Sequence, residues 1–292
     1  MNTIKRQNFR FFHRLRVRWA EVDMQKIVFN AHYLTYFDTA MGDYWRALAL
    51  PYDSTLQALG GDLSVKKATI EYHASAQMDD QLEVALQCQR IGTSSMTFKG
   101  AIFRGEDCLI SCELIYVFAD PTTQTSKPVP PALRDILLAF EAGEPMVTVE
   151  VGAWQALQSE ASQVRAEVFV KEQRIPIALE QDAADASAVH AVARNRLGVA
   201  VATGRLVPHA PGVGRIGRMA VNRVLRGTQL GGEVLHALMA AAAQRGDHTV
   251  ILHAQQTAQG FYARHGFTTQ GASFEEAGIV HIEMVHPLAP SI

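Results

Sequence analysis

One long amphipathic helix followed by a run of strands is the feature that most limits how the first half of this chain can fold. If Asn30 is the N-cap, apolar residues recur at helical spacing up to Leu48, and Pro51 closes the segment. The apolar stripe consists of Tyr33, Phe37, Ala40, Met41, Tyr44, Trp45 and Leu48. A single sizeable helix is therefore available to cover the apolar face of the sheet that the strands build.

The strands are predicted from the alternation of apolar and polar residues. A first strand is predicted before the helix and four more after it, at residues 13–19, 67–74, 82–88, 96–103 and 108–118. Consecutive strands of this kind favour an antiparallel sheet, and the economical way to cover its apolar face is to wrap it round the helix. The sequence therefore predicts an α+β fold for this half.

One carboxylate, Asp23, stands just ahead of the helix. The first N–H groups of a helix have no intrahelical partners and carry the positive end of its dipole. A carbonyl oxygen bound there would be polarised, with Asp23 near enough to activate water or to attack the carbonyl carbon. Most aspartates before helices are caps or turn residues, so a structural interpretation stays open beside the catalytic one.

The pattern D-x-x-x-x-V-F-N-x-x-Y is formed by Asp23, Val28, Phe29, Asn30 and Tyr33. It resembles the signature of hotdog-fold acyl-CoA thioesterases of the 4-hydroxybenzoyl-CoA thioesterase type. The resemblance implies a hotdog domain in which Asp23 is the catalytic carboxylate and the helix N-terminus polarises the thioester. It also implies a homodimer or a larger even assembly, with sheets joined edge to edge and the acyl site built at the subunit interface.

The resemblance covers about Gln7 to Asp120, and the chain departs from the family pattern within it. Many members have a glycine in place of Lys26, and a tyrosine and a histidine in place of Phe29 and Asn30. These departures leave Asp23 in place and leave the acyl group open.

Composition narrows the classes of partner. The net charge of −2 and the pI near 6.6 give no electrostatic reason to expect nucleic acid or an anionic membrane. No apolar run has the length of a membrane span and the N-terminus has no signal-peptide core, so a cytoplasmic location is expected. The three cysteines, Cys88, Cys108 and Cys112, form no metal-type pair, and no metal is expected. Cys108 and Cys112 share one face of a predicted strand and are expected to be buried small hydrophobes.

The pattern changes near Gly143, Glu144 and Pro145, after a loop at 122–131 and a short helix at 132–142. We therefore predict a hotdog domain over residues 1–145 and a second domain over residues 146–292. In the second domain strands alternate with helices, which indicates an α/β or α+β layer fold. Its predicted helices lie at 155–173, 232–244 and 258–265, and its strands at 188–194, 198–207, 215–221, 250–254 and 279–285.

The turn RGTQLGG connects the strand that ends at Val221 to a helix that begins close to Gly231. Glycines at such a turn let main-chain N–H groups approach an anion, and the helix dipole adds to the attraction, so the turn suits a pyrophosphate. A glycine-rich turn alone is more often a simple loop.

This turn, the order of elements and the run FYARHGF at 261–267 resemble the GNAT acyl-CoA-dependent N-acyltransferases, over about Val151 to Pro287. The runs EVFVKEQRIP at 167–176 and EEAGIVHIEM at 275–284 are similar to the ElaA-like branch. The resemblance implies that coenzyme A or acyl-CoA is the substrate and that Tyr262 protonates the departing thiolate. The residues implied to hold coenzyme A are Met219, Ala220 and Val221 for the pantetheine, and Arg226, Gly227, Thr228, Gln229, Leu230 and Gly231 for the pyrophosphate.

Two points stay open at this stage. Gln229 occupies the position of a central glycine in the family pattern, and its Cβ could obstruct a phosphate or merely shift it. The group that takes the proton from an amine acceptor is not identified; Glu172, His190 and His253 are candidates, each with a structural alternative.

The first hypothesis is a bifunctional enzyme: the hotdog domain hydrolyses an acyl-CoA, and the GNAT domain transfers an acyl or acetyl group from coenzyme A to an amine. The alternative is that one domain is catalytic and the other binds acyl-CoA or provides dimerisation. A third hypothesis is a scaffold whose hotdog half serves dimerisation alone.

Overall fold

The computed structural model describes residues 4–180, 182–276 and 278–289. The chain folds into two compact units, Met1–Met146 and Val147–Ile292. The first unit contains a five-stranded sheet and the second a seven-stranded sheet.

The first unit consists of an antiparallel sheet and three helices among its described residues. In chain order these are β1 (Phe11–Arg16), α1 (His32–Ala47), α2 (Tyr52–Leu59), β2 (Asp62–Tyr72), β3 (Gln81–Ile91), β4 (Ser95–Arg104), β5 (Asp107–Ala119) and α3 (Pro131–Ala142). The strands lie in the order β1-β3-β4-β5-β2, and every neighbouring pair is antiparallel. The predicted antiparallel sheet is confirmed.

Helix α1 packs on this sheet through the predicted stripe, all of which is buried. The ring of Tyr44 contacts those of Phe11, Phe98 and Phe140, with centroids 5.1–5.4 Å apart. Gly100 allows the helix to come close, because a Cβ at that position would lie 2.6 Å from Phe37 Cε1. The helix is therefore the centre of the core of this unit.

The boundaries near α1 differ from the prediction. Asn30 is not the N-cap: it lies in the turn before the helix, and Ala31, with no side-chain cap, precedes the first helical residue. The first strand ends at Arg16, because Trp19–Glu21 turns into a short 3₁₀ helix. Pro51 does not simply close the segment; it is the N-cap of the unpredicted helix α2.

Strand β2 lies at one edge of the sheet and has one hydrogen-bonded neighbour, β5. Nine of its eleven residues are exposed, and Val65 and Tyr72 are 53% and 55% exposed. The alternation along β2 predicts a half-buried strand, but within a single copy of the chain both of its faces are open.

The three cysteines carry free thiols. Cys88 and Cys112 are buried and Cys108 is half-buried. Burial raises the pKa of the Cys88 and Cys112 thiols to about 12, so both are protonated and unreactive. Cys112 is buried as predicted, whereas Cys108 is only half-buried.

The second unit alternates strands with helices. In chain order it contains β6 (Val147–Ala153), α4 (Trp154–Arg165), α5 (Ile177–Glu180), β7 (Val189–Asn195), β8 (Ala200–Ala210), β9 (Val213–Val221), α6 (Leu230–Arg245), β10 (Thr249–Gln255), α7 (Gln259–Arg264), β11 (Thr268–Glu276) and β12 (Ile279–Pro287). Helix α4 continues as a π-helical segment, Ala166–Glu172. The strand order is β11-β12-β10-β9-β8-β7-β6. Strands β6 and β11 and helix α5 are absent from the prediction.

Strands β9 and β10 are the one parallel pair among the described strands, and α6 connects them. Their pairing runs from Val213 with Thr249 to Ile216 with Leu252. Beyond that point β9 continues to Val221 and β10 to Gln255. At their carboxyl ends, the two strands therefore have backbone groups that do not pair with each other. These groups lie next to the N-terminus of α6.

Candidate functional site

Asp23 lies on a tight loop closed by an antiparallel bridge between Val22 and Val28. The Asp23 N–H donates to the carbonyl of Ile27, and the Lys26 N–H donates to the carbonyl of Asp23, both at 2.9 Å. Lys26 has a φ of +62°, in the left-handed region that glycine favours. The loop therefore holds Asp23 in a fixed, compact turn.

The carboxylate of Asp23 is half-buried, and one of its oxygens is occupied. Oδ1 accepts the Gln25 N–H at 2.8 Å. Within the described residues no group donates to Oδ2. The side chain thus fits both interpretations that the sequence leaves open: one oxygen stabilises the turn, and the other is available to a ligand or a water molecule.

Backbone hydrogen bonds hold this loop against the first turn of α1. The Phe29 N–H donates to the Glu21 carbonyl, and the His32 N–H donates to the Phe29 carbonyl, both at 2.9 Å. On the other side, the Ala76 N–H donates to the Tyr33 hydroxyl at 3.0 Å. Asp23 and the helix N-terminus therefore lie at the same end of the first unit.

Large apolar side chains surround the loop and face solvent. Trp19 is 80% exposed and Met24 is fully exposed; Phe29, Leu34 and Tyr72 are each exposed by more than two fifths. We call these five residues the loop patch. Such a cluster beside a polar site is typical of a surface that is covered in the functional assembly.

In the second unit a cavity of about 410 Å³ opens where β9 and β10 part. Gly217, Arg218 and Met219 of β9 line it on one side and His253 and Gln255 of β10 on the other. The remaining lining residues include Phe169, Ile175, Leu179, Glu180, Asp182, Arg205, Arg215, Tyr262, Glu276, Ile279 and His281.

Tyr262 is 8% exposed and its ring packs against Phe261 and Phe267, with centroids 5.0 and 5.9 Å away. Burial raises its pKa to about 12. The hydroxyl is therefore protonated at neutral pH and can give a proton to an anion in the cavity.

The turn before α6 begins with Gly227 at a φ of +83°, and nothing lies within 4 Å of a Cβ placed there. Gln229 is the N-cap of α6, with an ordinary φ of −82° and an exposed side chain. A side chain at Gln229 therefore causes no backbone strain. Gly231 is different: a Cβ there would lie 3.2 Å from Phe261, so that glycine serves the packing of α6 on α7.

Two family models match the chain, one in each unit. The Thioesterase superfamily model matches residues 25–111, and the Acetyltransferase (GNAT) domain model matches residues 157–288. A "Putative esterase" of Aquifex aeolicus is 32% identical over 101 residues, which are 35% of this chain and 77% of that protein. The "Uncharacterized N-acetyltransferase YjcF" of Bacillus subtilis is 35% identical over 128 residues, which are 43% of this chain and 89% of that protein.

The chain joins a hotdog thioesterase-superfamily domain to a GNAT domain. A third relative, the "Acyl-CoA thioester hydrolase YbgC" of Escherichia coli, is 26% identical over 123 residues, 41% of this chain and 89% of that protein. The predicted families and fold class are confirmed.

The predicted coenzyme A residues fall into two groups in the GNAT domain. Met219 lines the cavity together with Tyr262, whereas Ala220 is buried and Val221 is half-buried. Arg226, Gly227, Thr228, Gln229, Leu230 and Gly231 form the turn and the start of α6. Within that turn the Thr228 hydroxyl donates to the Leu225 carbonyl at 2.6 Å.

Of the three candidates for the base, Glu172 does not line the cavity. Both of its oxygens accept hydrogen bonds from the Arg226 guanidinium, at 2.6 Å each. These bonds hold the pKa of Glu172 below its usual value, which makes it a weaker base. The same contact engages the cation of Arg226.

His190 is 1% exposed and lies outside the lining of the cavity. Its ring packs on Trp154, and Nε2 lies 3.0 Å from the Asp185 carbonyl. Burial lowers the pKa of His190, so it is a neutral core residue. His253 alone of the three lines the cavity; its Nδ1 lies 3.5 Å from Glu276 and its Nε2 3.6 Å from Glu283.

A buried charge network that the sequence did not reveal forms one wall of the cavity. Arg165, 1% exposed, pairs with Glu180 and Asp185, and Arg205 pairs with Asp182 and Asp185. Burial alone would raise the pKa of Asp185, but the hydrogen bonds from Arg165 and Arg205 outweigh it and lower the pKa to about 2. Arg218 joins the network through Asp182 and the carbonyls of Leu179 and Glu180.

The thioesterase domain has a smaller buried charge cluster, which the sequence also did not reveal. Glu21, 3% exposed, accepts hydrogen bonds from the Tyr36 hydroxyl and from the backbone and guanidinium of Arg18. Burial raises its pKa, but these bonds together keep it below the usual value. Glu21 is therefore an ionised structural carboxylate two residues before Asp23.

The described part of the chain has neither a membrane-spanning helix nor a preformed metal site. None of its helices is long and apolar enough to cross a membrane. Across the same residues, no group of three or more His, Cys, Asp or Glu side chains is arranged to hold a metal ion.

Proposed function

We propose that the chain is a bifunctional enzyme of acyl-CoA thioesters, with hydrolysis in the thioesterase domain and acyl transfer to an amine in the GNAT domain. The observation that carries the proposal is that two unrelated folds in one chain both belong to families of CoA-thioester chemistry. The relative named as an acyl-CoA thioester hydrolase supports the first activity, and the relative named as an N-acetyltransferase supports the second.

In the thioesterase domain, Asp23 is proposed as the catalytic carboxylate. Its Oδ2 either takes a proton from the attacking water or attacks the thioester carbonyl itself. The C–S bond breaks, water supplies the hydroxyl of the product acid, and coenzyme A leaves as the thiol. The N-terminus of α1 would stabilise the negative charge that develops on the carbonyl oxygen.

A homodimer is proposed to complete this site. The long edge strand β2 offers unpaired backbone groups, and the loop patch offers apolar side chains beside Asp23. Pairing of β2 with β2 of a second copy of the chain would cover both the strand edge and the loop patch.

In the GNAT domain, the amine nitrogen attacks the thioester carbonyl and forms an amide while the C–S bond breaks. Tyr262 gives a proton to the thiolate of coenzyme A, and His253 takes the proton that the amine loses. Glu276 and Glu283 flank the His253 ring, with carboxylate oxygens 3.5 and 3.6 Å from its nitrogens.

The first experiment measures thiol release by the purified chain from short, long and aromatic acyl-CoAs. Asp23→Asn is expected to lower hydrolysis about 10³-fold, because the catalytic carboxylate is lost. Asp135→Asn, which neutralises an exposed carboxylate of α3, is the matched control and should keep the wild-type rate. Hydrolysis by Asp23→Asn at the wild-type rate would remove Asp23 from the mechanism.

The second experiment follows amide product by mass spectrometry with acetyl-CoA and a panel of amines. Tyr262→Phe and His253→Gln are each expected to lower transfer about 10²-fold, because each loses a proton-transfer group. His248→Gln removes an exposed histidine of the same domain and should leave transfer unchanged. Unchanged transfer by either active-site variant would exclude the role given to that residue.

A second candidate function has two specific observations in its favour: Gln229 stands at a family glycine position, and Glu172 engages Arg226. In this version the GNAT domain binds acyl-CoA without turnover. Calorimetry of the full chain with coenzyme A tests it; binding without product across the amine panel would support it, and product formation would end it.

A further inference from the structure

The cavity of the GNAT domain contains more charge than the proposed acyl transfer uses. Most of it is internally balanced. Three cations, Arg165, Arg205 and Arg218, face three anions, and each has a partner within the set. The anions are Glu180, Asp182 and Asp185. This network therefore has no net charge to offer a ligand.

Arg215 lines the same cavity and stands outside this network. It is half-buried on β9, and within the described residues its guanidinium forms no hydrogen bond or ion pair. A half-buried guanidinium in a cavity is costly without an anionic partner. Arg215 is thus the lining cation that is available to a bound anion.

The register of the sheet places Arg215 and His253 on one face. Arg215 is level with Ile251 on β10, and His253 follows Ile251 by two residues, so their side chains point to the same side. Because the strands part after Leu252, at least one strand spacing and two residues separate their Cα atoms, which is about 8 Å or more. Gly217 follows Arg215 by two residues on the same strand and has no side chain, and a Cβ there would have no neighbour within 4 Å.

The cavity lining therefore has an open position next to Arg215 and His253. The carboxylate of Glu276 lies beside the His253 ring. His253 and Glu276 suit an amine, and Arg215 suits an anion such as a carboxylate. Phe169, Ile175, Leu179 and Ile279 add apolar walls.

We propose that the acceptor is a primary amine that carries a carboxylate and an apolar side chain, that is, an apolar amino acid. The amine lies at His253 and Glu276, the carboxylate is bound by the fork of Arg215, and the side chain packs on the apolar walls. The inference rests on the proposed acyl transfer and names its substrate class.

The test compares three acceptors with acetyl-CoA: leucine, leucinamide and 3-methylbutylamine, which share a side chain but not a carboxylate. Product is measured by mass spectrometry, so that hydrolysis in the thioesterase domain does not interfere. The wild-type chain is expected to prefer leucine at least tenfold in kcat/KM, because a charge-assisted bidentate hydrogen bond discriminates by that factor or more.

Arg215→Met is expected to remove this preference through a higher KM for leucine, with little change for 3-methylbutylamine. Arg215→Lys is the conservative control and should keep part of the preference, since it keeps the charge but loses the fork. Gly217→Val should raise KM for all three acceptors, because its side chain fills the open position. Equal use of the three acceptors by the wild-type chain, or an unchanged preference in Arg215→Met, would overturn the inference while leaving acyl transfer intact.

Failure of the acyl transfer itself gives a different result, namely no amide product from any acceptor. Calorimetry with leucine and leucinamide then decides the inference independently. Binding of leucine that is lost in Arg215→Met would support a carboxylate site. Equal binding of leucine by Arg215→Met and the wild-type chain, or no binding of leucine at all, would overturn it.

Discussion

The two candidate sites of this chain are built in opposite ways. Asp23 lies on a surface loop, among exposed apolar side chains and beside an edge strand with one neighbour. Tyr262 and His253 line a cavity whose walls all come from the GNAT domain and whose buried charges are matched. Under the proposed homodimer, the first arrangement is completed by a second copy of the chain, whereas the second lies within one domain.

The two candidate sites differ in the contacts that determine their shape. The GNAT cavity depends on buried contacts, so changes in its wall should affect folding of that domain. If the proposed homodimer covers the surface around Asp23, changes at β2 should affect assembly and activity with little effect on folding. Three substitutions test this contrast.

The largest effect is expected from Asp185→Asn. It removes the anion shared by Arg165 and Arg205 and leaves buried positive charge uncompensated, which costs about 3–5 kcal/mol of unfolding free energy. Calorimetry should show a lower melting temperature for the GNAT domain, while hydrolysis by the thioesterase domain continues. Loss of less than about 1 kcal/mol would mean that this network does not support the cavity.

The same variant has a pH signature. The pKa of Asp185 is about 2 in the folded chain and 3.8 as its ordinary value. A lowered pKa stabilises the folded state above the ordinary value, so this contribution is complete above about pH 4 and is lost as the pH falls towards about 2. Wild-type stability should decline over that window more steeply than the stability of Asp185→Asn.

An intermediate effect is expected from Val65→Lys on β2. Lys66 and Lys67 follow it, so paired copies would bring like charges together at an edge strand. Dimerisation, measured by analytical ultracentrifugation, should weaken at least tenfold, and hydrolysis at low protein concentration should fall with it. Acyl transfer should not change.

Val151→Lys is the matched control for that substitution. Val151 is 41% exposed on β6, the edge strand of the other sheet. It should leave both the oligomeric state and hydrolysis unchanged. If Val151→Lys lost the dimer and Val65→Lys kept it, the interface would lie in the GNAT domain and not at β2.

The smallest effect is expected from Lys26→Gly. A non-glycine residue at a φ of +62° costs about 1–2 kcal/mol, partly offset by the greater freedom of glycine in the unfolded chain. A net gain of about 0.5–1 kcal/mol should appear in denaturant unfolding. Gln25→Gly, next to it and without a positive φ, should instead lose stability.

Local patterns predict much of the fold. The α1 stripe and strands β3, β4 and β5 can be recognised because each buries one regular face. Strand β11 escapes prediction because Thr268–Glu276 contains one large apolar residue, Phe274, and so has no period to detect. Strand β6 does alternate, but it lies at the point where the pattern changes between the domains, which favours a linker.

The candidate sites are predicted less completely, for a physical reason. Asp23 and Tyr262 lie in short motifs, whereas the hydrogen bonds of the Arg165 network join residues 15 to 39 positions apart that share no motif. The cavity exists because the β9–β10 ladder stops at Ile216, and that point depends on the pairing of two strands that α6 separates. That the guanidinium of Arg215 is available to a ligand can be recognised only when the partners of the other arginines in the cavity wall are known.

The exposed edge strand β2 has a consequence for how the two activities respond to dilution. If hydrolysis needs two copies of the chain, its rate falls with the square of protein concentration once most copies are single. The rate of acyl transfer, which uses a cavity within one copy of the chain, falls only in proportion to the protein concentration. The amount of protein in solution would then set the ratio of hydrolysis to transfer, with transfer dominant when the protein is scarce.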